Sequence, residues 1–282
     1  MVELVWMNGE IVPLADARIG IEDRGFQFAD GVYEVIRLYN KKPFALDLHL
    51  QRLQKSAAGI QLAVPIAIPA LTTEIGKLLT RASVPEGMIY LQLTRGSAPR
   101  SHAFSQTKPT LLFYARTLPP LADLATSEGV KLITVPDERW KRCWIKSIAL
   151  LPNVLAKNQA LAAGADEAVF IEDGIVTECS ASNIFGVIGQ RLVTHPVGPK
   201  VLPGITRAIL LEVAAKIGLI VEERPLREAE VLRADELFIT STTREISWVG
   251  RWNDQSIGQS RCGPVTLKLN AALRDRVQRE TA

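Results

Sequence analysis

Two lysines, Lys146 and Lys157, lie in the stretch RCWIKSIALLPNVLAKNQAL, which is otherwise mostly apolar. An amine that loses its hydration has a lowered pKa and is a better nucleophile. Helical periodicity over residues 153–163 places Lys157 at the edge of an apolar face, from which a long side chain reaches water, so we interpret it as structural. Lys146 follows Trp144 and Ile145 in an extended-looking segment. A charge at a strand edge is the commoner interpretation there, and a chemical amine is the alternative.

Two other segments have the character of anion-binding sites. In LPGITRAILLEV, Gly204, Ile205 and Thr206 begin a predicted helix, whose free N–H groups and dipole attract negative charge. The segment TSTTREI, after the predicted strand ELF, adds hydroxyl and N–H groups. A local interpretation competes, because Thr242 and Glu245 have capping-box spacing and Gly204 can simply end a loop. Each segment alone is more often a cap, and the two together favour a phosphate site.

The predicted strand VYEVIRLY carries polar groups on one face. Strand alternation places Tyr33, Val35, Arg37 and Tyr39 on that face. Such side chains are suited to lining a site, although alternation alone favours a solvated face. Glu34 lies on the opposite, more apolar face and would need a partner if it is buried.

A basic loop, TRGSAPRSH, connects two predicted strands. It contains Arg95, Arg100 and His102 among glycine, serine and proline residues. Arginine and histidine on such a loop are suited to binding a carboxylate. A solvated basic loop is an equally good interpretation of the same residues.

Several classes of function lose support from what the sequence does not contain. We find no GxGxxG, P-loop, HExxH or GxSxG motif, and the three histidines and three cysteines are far apart, so we predict no metal site and no disulfide framework. A net charge of +3 over 63 charged residues gives no argument for nucleic acid or membrane binding. The acidic start and the lack of a long apolar run predict a cytoplasmic protein without a signal peptide or membrane span.

The elements that must position these residues are short strands and scattered helices. An Asn8-Gly9 turn predicts a first hairpin, and GVYEVIRLYNKKPFAL a second. The helix over residues 153–163 is predicted to bury Val154, Leu155, Leu161 and Ala162. Because helices and strands do not alternate strictly, the pattern predicts an α+β protein rather than a doubly wound sheet. The predicted division is an N-terminal domain over 1–118, a linker over 119–128 and a C-terminal domain over 129–282.

Seven segments together resemble one family. DRGFQFADGVYEVIR, HLQRL, TRGSAPRSH, RWKRCWIKS, VTECSASNIFG, GITR and TSTTREI occur in the order and spacing of fold-type IV aminotransferases that use pyridoxal 5'-phosphate (PLP). The resemblance spans nearly the whole chain and is closest to the D-amino acid (D-alanine) aminotransferases of that family. It implies a smaller N-terminal α/β domain, a larger C-terminal pseudo-barrel domain that binds PLP, and a homodimer.

The resemblance also implies roles for individual residues. Lys146 matches the lysine that bonds covalently to PLP, and Glu178 matches the carboxylate facing the pyridine nitrogen, where it would keep that nitrogen protonated. The residues that match the phosphate cradle are Arg52, Ile205, Thr206 and Thr242. Ser241 and Ser180 are weaker candidates for cofactor contacts. Cys179 and Ala181 depart from a segment that is usually richer in glycine and serine, which could alter hydrogen bonds near Glu178.

Substrate binding is implied in the same way. Tyr33, Arg100 and His102 match the residues that hold the substrate α-carboxylate in D-amino acid aminotransferases, where the Arg/His loop serves the site of the partner subunit. Arg37 shares a face with Tyr33 and could recognise acidic substrates such as D-glutamate. Some D-amino acid enzymes have lysine at that position, whereas branched-chain enzymes have arginine, so Arg37 leaves the substrate range open.

The expected reaction is a ping-pong transamination between a D-amino acid, of the D-alanine and D-glutamate class, and a 2-oxo acid. Three alternatives remain. A branched-chain L-aminotransferase shares the cofactor residues but lacks the Arg-x-His pair, and a PLP lyase of the aminodeoxychorismate type would need no amino acceptor. A non-enzymatic anion-binding protein would use Lys146 only as an edge charge, and the number of matching positions argues against it.

Overall fold

The structure, a computed structural model, describes residues 3–104, 106–259 and 261–282. Its contacts divide the chain into two compact units. The first contains Met1–Pro120, Ile145–Ala149 and Glu280–Ala282, and the second contains Leu121–Trp144 and Leu150–Arg279. This division differs from a simple split of the sequence, because the segment with Lys146 belongs to the first unit.

The described part of the first unit contains one antiparallel six-stranded sheet in the order β2-β1-β6-β5-β3-β4. Its strands are β1 (Leu4–Met7), β2 (Glu10–Pro13), β3 (Gly31–Tyr39), β4 (Lys42–Pro43), β5 (Gly87–Thr94) and β6 (Thr110–Thr117). The predicted first hairpin is confirmed, with Asn8 and Gly9 at φ 51° and 108° between β1 and β2. Both residue types tolerate the left-handed region that such a two-residue turn requires.

Helices of the first unit pack on this sheet. They are α1 (Arg24–Phe28), α2 (Leu46–Gly59) and α3 (Ile68–Ala82). In α3, Leu71, Ile75 and Leu78 are buried at helical spacing, which is the face that the sequence pattern favours for packing. The short α1 escaped sequence-based prediction because it has no apolar repeat. It begins at the Asp23 cap, whose Oδ1 accepts the N–H of Gly25 at 2.8 Å.

Ten strands of the described second unit form one sheet in the order β12-β11-β10-β14-β15-β7-β8-β9-β13, with β16 paired to β15. Its strands are β7 (Val130–Pro136), β8 (Glu167–Glu172), β9 (Ile175–Cys179), β10 (Asn183–Ile188), β11 (Arg191–Thr194), β12 (Ile220–Glu223), β13 (Leu226–Arg227), β14 (Glu236–Ser241), β15 (Glu245–Trp252) and β16 (Gln255–Ser256). The sheet is mixed, since β11 with β12, and β7 with both β8 and β15, run parallel.

The two ends of this sheet come from neighbouring segments of the chain. Strand β12 ends at Glu223 and β13 begins at Leu226. Three residue steps span at most about 11 Å, so the opposite edges of a nine-strand path must approach each other. The sheet therefore curls around its core, which includes the buried side chains of Leu226, Trp252 and Val249. This curvature agrees with the expected pseudo-barrel.

The second unit also contains the helices α4 (Leu151–Ala162), α5 (Ile205–Lys216), α6 (Glu228–Val231) and α7 (Pro264–Thr281). The predicted burial of Val154, Leu155, Leu161 and Ala162 in α4 is wrong. Val154, Leu155 and Leu161 are 49%, 63% and 55% exposed, and Ala162 is exposed as well.

Small residues explain which face of α4 is buried. Ala156 and Ala160 pack with Phe170 of β8, since alanine lets a helix approach a sheet closely. Lys157 is half-buried and its Nζ donates to the carbonyl of Asp166, which agrees with a structural role. In the described ranges we find no helix with the length and apolarity needed to cross a membrane.

Candidate active site

Lys146 lies in a short extended segment that runs beside β3 in the first unit. Its carbonyl accepts the N–H of Tyr33 at 3.0 Å, and Val32 and Ser147 form an isolated antiparallel bridge. The N–H of Lys146 donates to Ser56 Oγ at 3.1 Å. The segment that looks extended in the sequence thus forms a single isolated bridge with β3. Hydrogen bonds on both sides fix the main chain from which the amine extends.

The amine of Lys146 lies over an aromatic surface. Its Nζ is 4.3 Å from the centroid of the Tyr33 ring, and Tyr33 stacks on Tyr90 at 5.9 Å. Burial raises the pKa of Tyr90, so that phenol stays neutral. No carboxylate in the described part of the first unit forms an ion pair with Lys146. A ring face stabilises an ammonium only modestly, which leaves this half-buried amine accessible to chemistry.

Arg52 is held by a buried acid, and the expected need of Glu34 for a partner is confirmed. Arg52 Nε lies 2.7 Å from Glu34 Oε1 and its Nη2 lies 2.8 Å from Oε2. His49 Nδ1 lies 2.8 Å from the same Oε2. Glu34 is fully buried and Arg52 is 7% exposed. The guanidinium, predicted to lie in the phosphate cradle, therefore has a fixed orientation.

The charge states of this cluster follow from burial and pairing. Burial alone would raise the pKa of Glu34, but the charge and hydrogen bonds of Arg52, aided by His49, lower it to about 2. Burial lowers the pKa of His49, and its hydrogen bond to Glu34 only partly opposes this. The cluster thus contains an ionised carboxylate, a guanidinium and a histidine that favours its neutral form.

The basic loop separates into residues with different environments. Arg95 is 6% exposed and forms a two-point ion pair with Asp30 at 2.8 and 3.0 Å, so it is structural. Arg100 and His102 are exposed. Arg37 is 3% exposed with its guanidinium carbon 5.4 Å from the Tyr39 ring, so the Tyr/Arg face of β3 is not the solvated surface that alternation alone favoured.

Glu178 lies near the end of β9 in the second unit and is 5% exposed. Its Oε1 accepts a hydrogen bond from Arg139. Its Oε2 accepts the N–H of Leu202 at 2.9 Å and the Asn183 amide at 3.1 Å. Burial raises the pKa of Glu178, and Arg139 offsets this only in part. The carboxyl is therefore a stronger base than an exposed glutamate.

Arg139 was missed as a functional candidate, although it begins the segment RWKRCWIKS. It donates to Asp137 through Nε at 2.9 Å and Nη2 at 2.8 Å, in addition to its bond to Glu178. Thr177 Oγ1 also donates to Asp137, at 2.9 Å. The only signal in the sequence was the nearness of two acids and an arginine to the Lys146 motif, which does not reveal their pairing with β9.

The expected anion-binding turn lies beside Glu178. Helix α5 begins at Ile205, and no described side chain caps its first turn. A Cβ on Gly204 would lie 2.0 Å from Asn183 Oδ1, so only glycine fits there. The Asn183 amide joins the two features, since it also donates to Leu202 O at 3.0 Å. Thr206 is half-buried, and the N–H groups at the start of a helix such as α5 are suited to binding an anion.

The second hydroxyl segment is a hairpin tip. Ser241 pairs with Glu245 where β14 turns into β15, with Thr242 in the turn, so the capping-box interpretation is wrong. Asn183 of β10 pairs with Thr240 of β14, which places this tip next to the strand bearing Asn183. Ser241 Oγ accepts the N–H of Arg244 at 3.3 Å.

Two buried hydroxyls near these strands lack partners. Among the described residues, none hydrogen-bonds to Ser180 Oγ or Thr240 Oγ1. Cys179 and Ala181, which depart from the residues usual in this segment of the family, have local explanations. Cys179 is a buried thiol whose pKa is raised by burial. Ala181 contributes its N–H to Glu167 Oε1 at 2.7 Å, a bond that needs no side chain.

Comparison with known proteins places this geometry in a family. The model of the "Amino-transferase class IV" family matches residues 31–252. The chain is 41% identical to a D-alanine aminotransferase of Bacillus licheniformis over 99% of its own length and 98% of the relative's.

Solved structures agree with this placement. The Escherichia coli branched-chain amino acid aminotransferase superposes with a TM-score of 0.91 at 25% identity, covering 100% of this chain and 97% of the other. The branched-chain enzyme of T.th., solved with pyridoxamine 5'-phosphate, gives 0.87 at 27% identity, covering 97% and 94%. The expected family is confirmed, and this chain belongs to the class IV aminotransferases.

Proposed function

We propose that this aminotransferase moves an amino group between a D-amino acid, of the D-alanine and D-glutamate class, and a 2-oxo acid by a ping-pong mechanism with PLP. The observation that carries the proposal is the identity of 41% over 99% of the chain to a D-alanine aminotransferase. The exposed Arg100 and His102 offer donors for a carboxylate, and the resemblance associates this Arg-x-His pair with the D-amino acid enzymes of the family.

The residues present fit PLP as the cofactor. The uncapped first turn of α5, with its obligatory Gly204, suits a phosphate group. Glu178, with its raised pKa, suits a protonated ring nitrogen. The unpartnered hydroxyl of Ser180 supports a polar ligand nearby, because buried hydroxyls normally have a hydrogen-bond partner. Arg52, Ile205, Thr206, Thr242 and Ser241 complete the set of proposed cofactor contacts.

Lys146 is the proposed catalytic residue. PLP, when bound, supplies an aldehyde that bonds to amines and a ring that accepts electrons as a Cα proton leaves. Lys146 Nζ is the base that holds and moves that proton. Its main chain is fixed by Tyr33 and Ser56, which keeps the amine at a constant position. In the first half-reaction the 2-oxo acid leaves before the second substrate enters.

Glu178 holds a proton in place during the reaction. Its carboxyl would accept from the ring nitrogen of bound PLP, and the bonds from Leu202 and Asn183 fix the carboxyl's orientation. A carboxylate with a raised pKa is a good acceptor for a proton on an adjacent nitrogen. This makes Glu178 the residue that maintains the electron-accepting form of the cofactor.

Tyr33, Arg100 and His102 are proposed to bind the substrate α-carboxylate, and Arg37 to contribute to side-chain recognition. The Arg100/His102 loop is proposed to act in the site of a partner subunit. An exposed apolar stripe on α4 supports a homodimer, since Leu151, Val154, Leu155 and Leu161 are 49–68% exposed.

The substrate assignment is tested with a panel of amino acids. Purified enzyme with PLP should convert D-alanine and D-glutamate with a 2-oxo acid acceptor, and should leave L-leucine and L-alanine unchanged. Turnover of only the L isomers would contradict the proposal and favour the branched-chain alternative, which the solved neighbours represent. Product formation without an acceptor would indicate the lyase alternative.

The role of Lys146 has a matched control in the same stretch. Borohydride reduction of the PLP-loaded enzyme should attach the cofactor to the peptide containing Lys146 and not to Lys157. K146A should abolish transamination. K157A should retain it, because the Lys157 amine donates a hydrogen bond to the Asp166 carbonyl. Attachment at another lysine would overturn the assignment.

A further inference from the structure

Residues 95–104, here called the trap loop, are anchored at their start by the segment around α1. The N–H of Arg24 donates to Gly96 O at 2.9 Å, and the N–H of Ala98 donates to Glu22 O at 3.2 Å. These bonds lie on both sides of residue 97, so they fix the direction in which the loop leaves β5. The part of the loop that carries Arg100 follows immediately.

A buried guanidinium holds the far side of the trap loop. Arg24 is 3% exposed, and its Nη1 donates to Ser101 O at 2.5 Å and contacts Ala103 O at 3.4 Å. Its Nη2 contacts His102 O at 3.5 Å. Three successive carbonyls thus face one side chain. The planar fork of arginine can serve several acceptors at once, which a lysine cannot do with one nitrogen.

An acid shared by two arginines fixes Arg24 in turn. Asp30 Oδ2 lies 2.8 Å from Arg24 Nε and 2.8 Å from Arg95 Nε. Arg95 is tied further to the carbonyls of Ile60 and Gln61 at 2.7 and 3.0 Å. Burial would raise the pKa of Asp30, but the hydrogen bonds from Arg95 and Arg24 lower it overall. The carboxylate is therefore ionised and anchors Arg24 to the rest of the unit.

An aromatic ring supports the side chains of the trap loop. The guanidinium carbon of Arg100 lies 4.4 Å from the centroid of the Phe28 ring, and the His102 ring lies 5.5 Å from it. Arg24 is 4.9 Å from the same centroid. Among the described residues no carboxylate forms an ion pair with Arg100, so its donors are available to a ligand while its flat face rests on Phe28.

We propose that Arg24 and Phe28 are positioning residues for recognition of the substrate carboxylate. Arg24 fixes the main chain at residues 101–103, and Phe28 holds the side chains of Arg100 and His102 in one orientation. Binding then does not have to order long side chains, a cost that would otherwise weaken affinity. The inference rests on the proposed carboxylate-binding role of Arg100 and His102.

Kinetics of R24K and F28L test the proposal. R24K keeps the charge beside Asp30 but cannot serve the three carbonyls, and F28L keeps apolar bulk but removes the ring. Both should raise KM for the amino acid substrate, R24K by up to roughly 100-fold because small misplacements have effects of that order. Affinity for PLP and kcat at saturation should change little. R18K is the matched control, since the bonds of exposed Arg18 within the described residues go to the nearby carbonyls of Ala15 and Ala17.

A double-mutant cycle with R100A separates positioning from general damage. If Arg24 acts through Arg100, R24K in the R100A background should lower kcat/KM much less than it does in the wild type. Equal effects in both backgrounds, or a parallel loss of PLP affinity, would overturn the proposal. Should R24K fail to fold, the cycle with F28L gives the same decision, because Phe28 is half-buried and outside the ion-pair network.

The cycle is run with whichever amino acid the wild type converts fastest. A wild type that prefers L-amino acids would contradict the proposed function and leave the coupling of Arg24 to Arg100 measurable. A wild type that prefers D-alanine, combined with additive effects of R24K and R100A, would contradict the positioning role alone.

Discussion

Two buried glutamates, one in each unit, are each bonded to an arginine, but their pKa values shift in opposite directions. Glu34 has both oxygens paired with Arg52, plus His49, and its pKa falls to about 2. Glu178 is as fully enclosed and also bonded to an arginine, yet its pKa is raised. Burial is the largest cause of that rise, and Arg139 opposes it only in part, since it makes two bonds to Asp137 and one to Glu178.

The effect of an arginine on the pKa of a buried carboxyl therefore depends on how many acids it bonds. A guanidinium that bonds both oxygens of one carboxylate overcomes the desolvation of that carboxylate. A guanidinium divided between two acids does not, and the nearby Asp137 charge itself raises the pKa of Glu178. The first arrangement suits a fixed anchor for Arg52, and the second suits a base that accepts a proton.

The largest expected effect comes from neutralising the base. E178Q should lower the rate of the half-reaction with D-alanine roughly 100- to 10,000-fold, because an amide cannot hold the ring nitrogen's proton. Stopped-flow absorbance of the cofactor measures it. E236Q is the control, since Glu236 is a buried glutamate that binds the first N–H groups of α7 and has no proposed role in the reaction. Equal losses in both variants would contradict the assignment to Glu178.

Neutralising Glu34, which holds Arg52, should mainly lower the free energy of unfolding. E34Q takes away the charge that neutralises buried Arg52, and breaking a buried pair from one side costs about 3–5 kcal/mol. Urea denaturation measures this, and PLP titration should show weaker binding as Arg52 loses its orientation. E74Q removes a partner of the exposed Lys77 and should change stability far less. Unchanged PLP affinity in E34Q would argue against a cradle role for Arg52.

The two glutamates should give opposite pH dependence. The pKa of Glu34 is lowered from about 4.5 to about 2 on folding, so it contributes about 3 kcal/mol above pH 4.5, which is lost as the pH falls toward 2. The pKa of Glu178 is raised, so its contribution is present below about pH 4.5 and is lost as the pH rises. Thermal denaturation across pH should show a smaller acid loss in E34Q than in the wild type.

The smallest expected effect comes from a variant of Asp137, which tests whether sharing of Arg139 keeps the pKa of Glu178 raised. D137N removes the competing charge, so Glu178 is the remaining acidic partner of Arg139 among the described residues, and the pKa of Glu178 falls. The acidic limb of the activity profile should move to lower pH, with maximal activity changing less than about tenfold. E138Q, at the exposed neighbouring acid, should leave the profile in place. A shift to higher pH in D137N would contradict the explanation.

The sequence predicted local features well where a short pattern determines them. The Asn8-Gly9 hairpin depends only on residues that accept positive φ, and the partner requirement of Glu34 follows from placing a charge on an apolar face. The family resemblance added the candidate roles of Lys146 and Glu178, which periodicity alone left open.

Features that depend on distant parts of the chain were not predictable. The alternation of β3 could not show that Arg37 is covered, and the apolar repeat of α4 gave the wrong buried face because small alanines pack on the sheet. The pairings of Arg139 with Glu178 and of Arg24 with residues 101–103 join positions 39 and 77–79 apart. No local spacing rule reports such contacts.

The placement of residues 145–149 has a consequence for biosynthesis. Most of the first unit leaves the ribosome with the first 120 residues, but Ile148, which donates to Gly31 O, and Lys146, which accepts the N–H of Tyr33, follow later. The β3 edge of the first unit is therefore completed late, by the segment that carries the proposed reactive amine, and Glu280–Ala282 join that unit later still. A chain that stops after residue 120 would expose unpaired main-chain groups along β3, so translation must pass residue 149 before that half of the enzyme can mature.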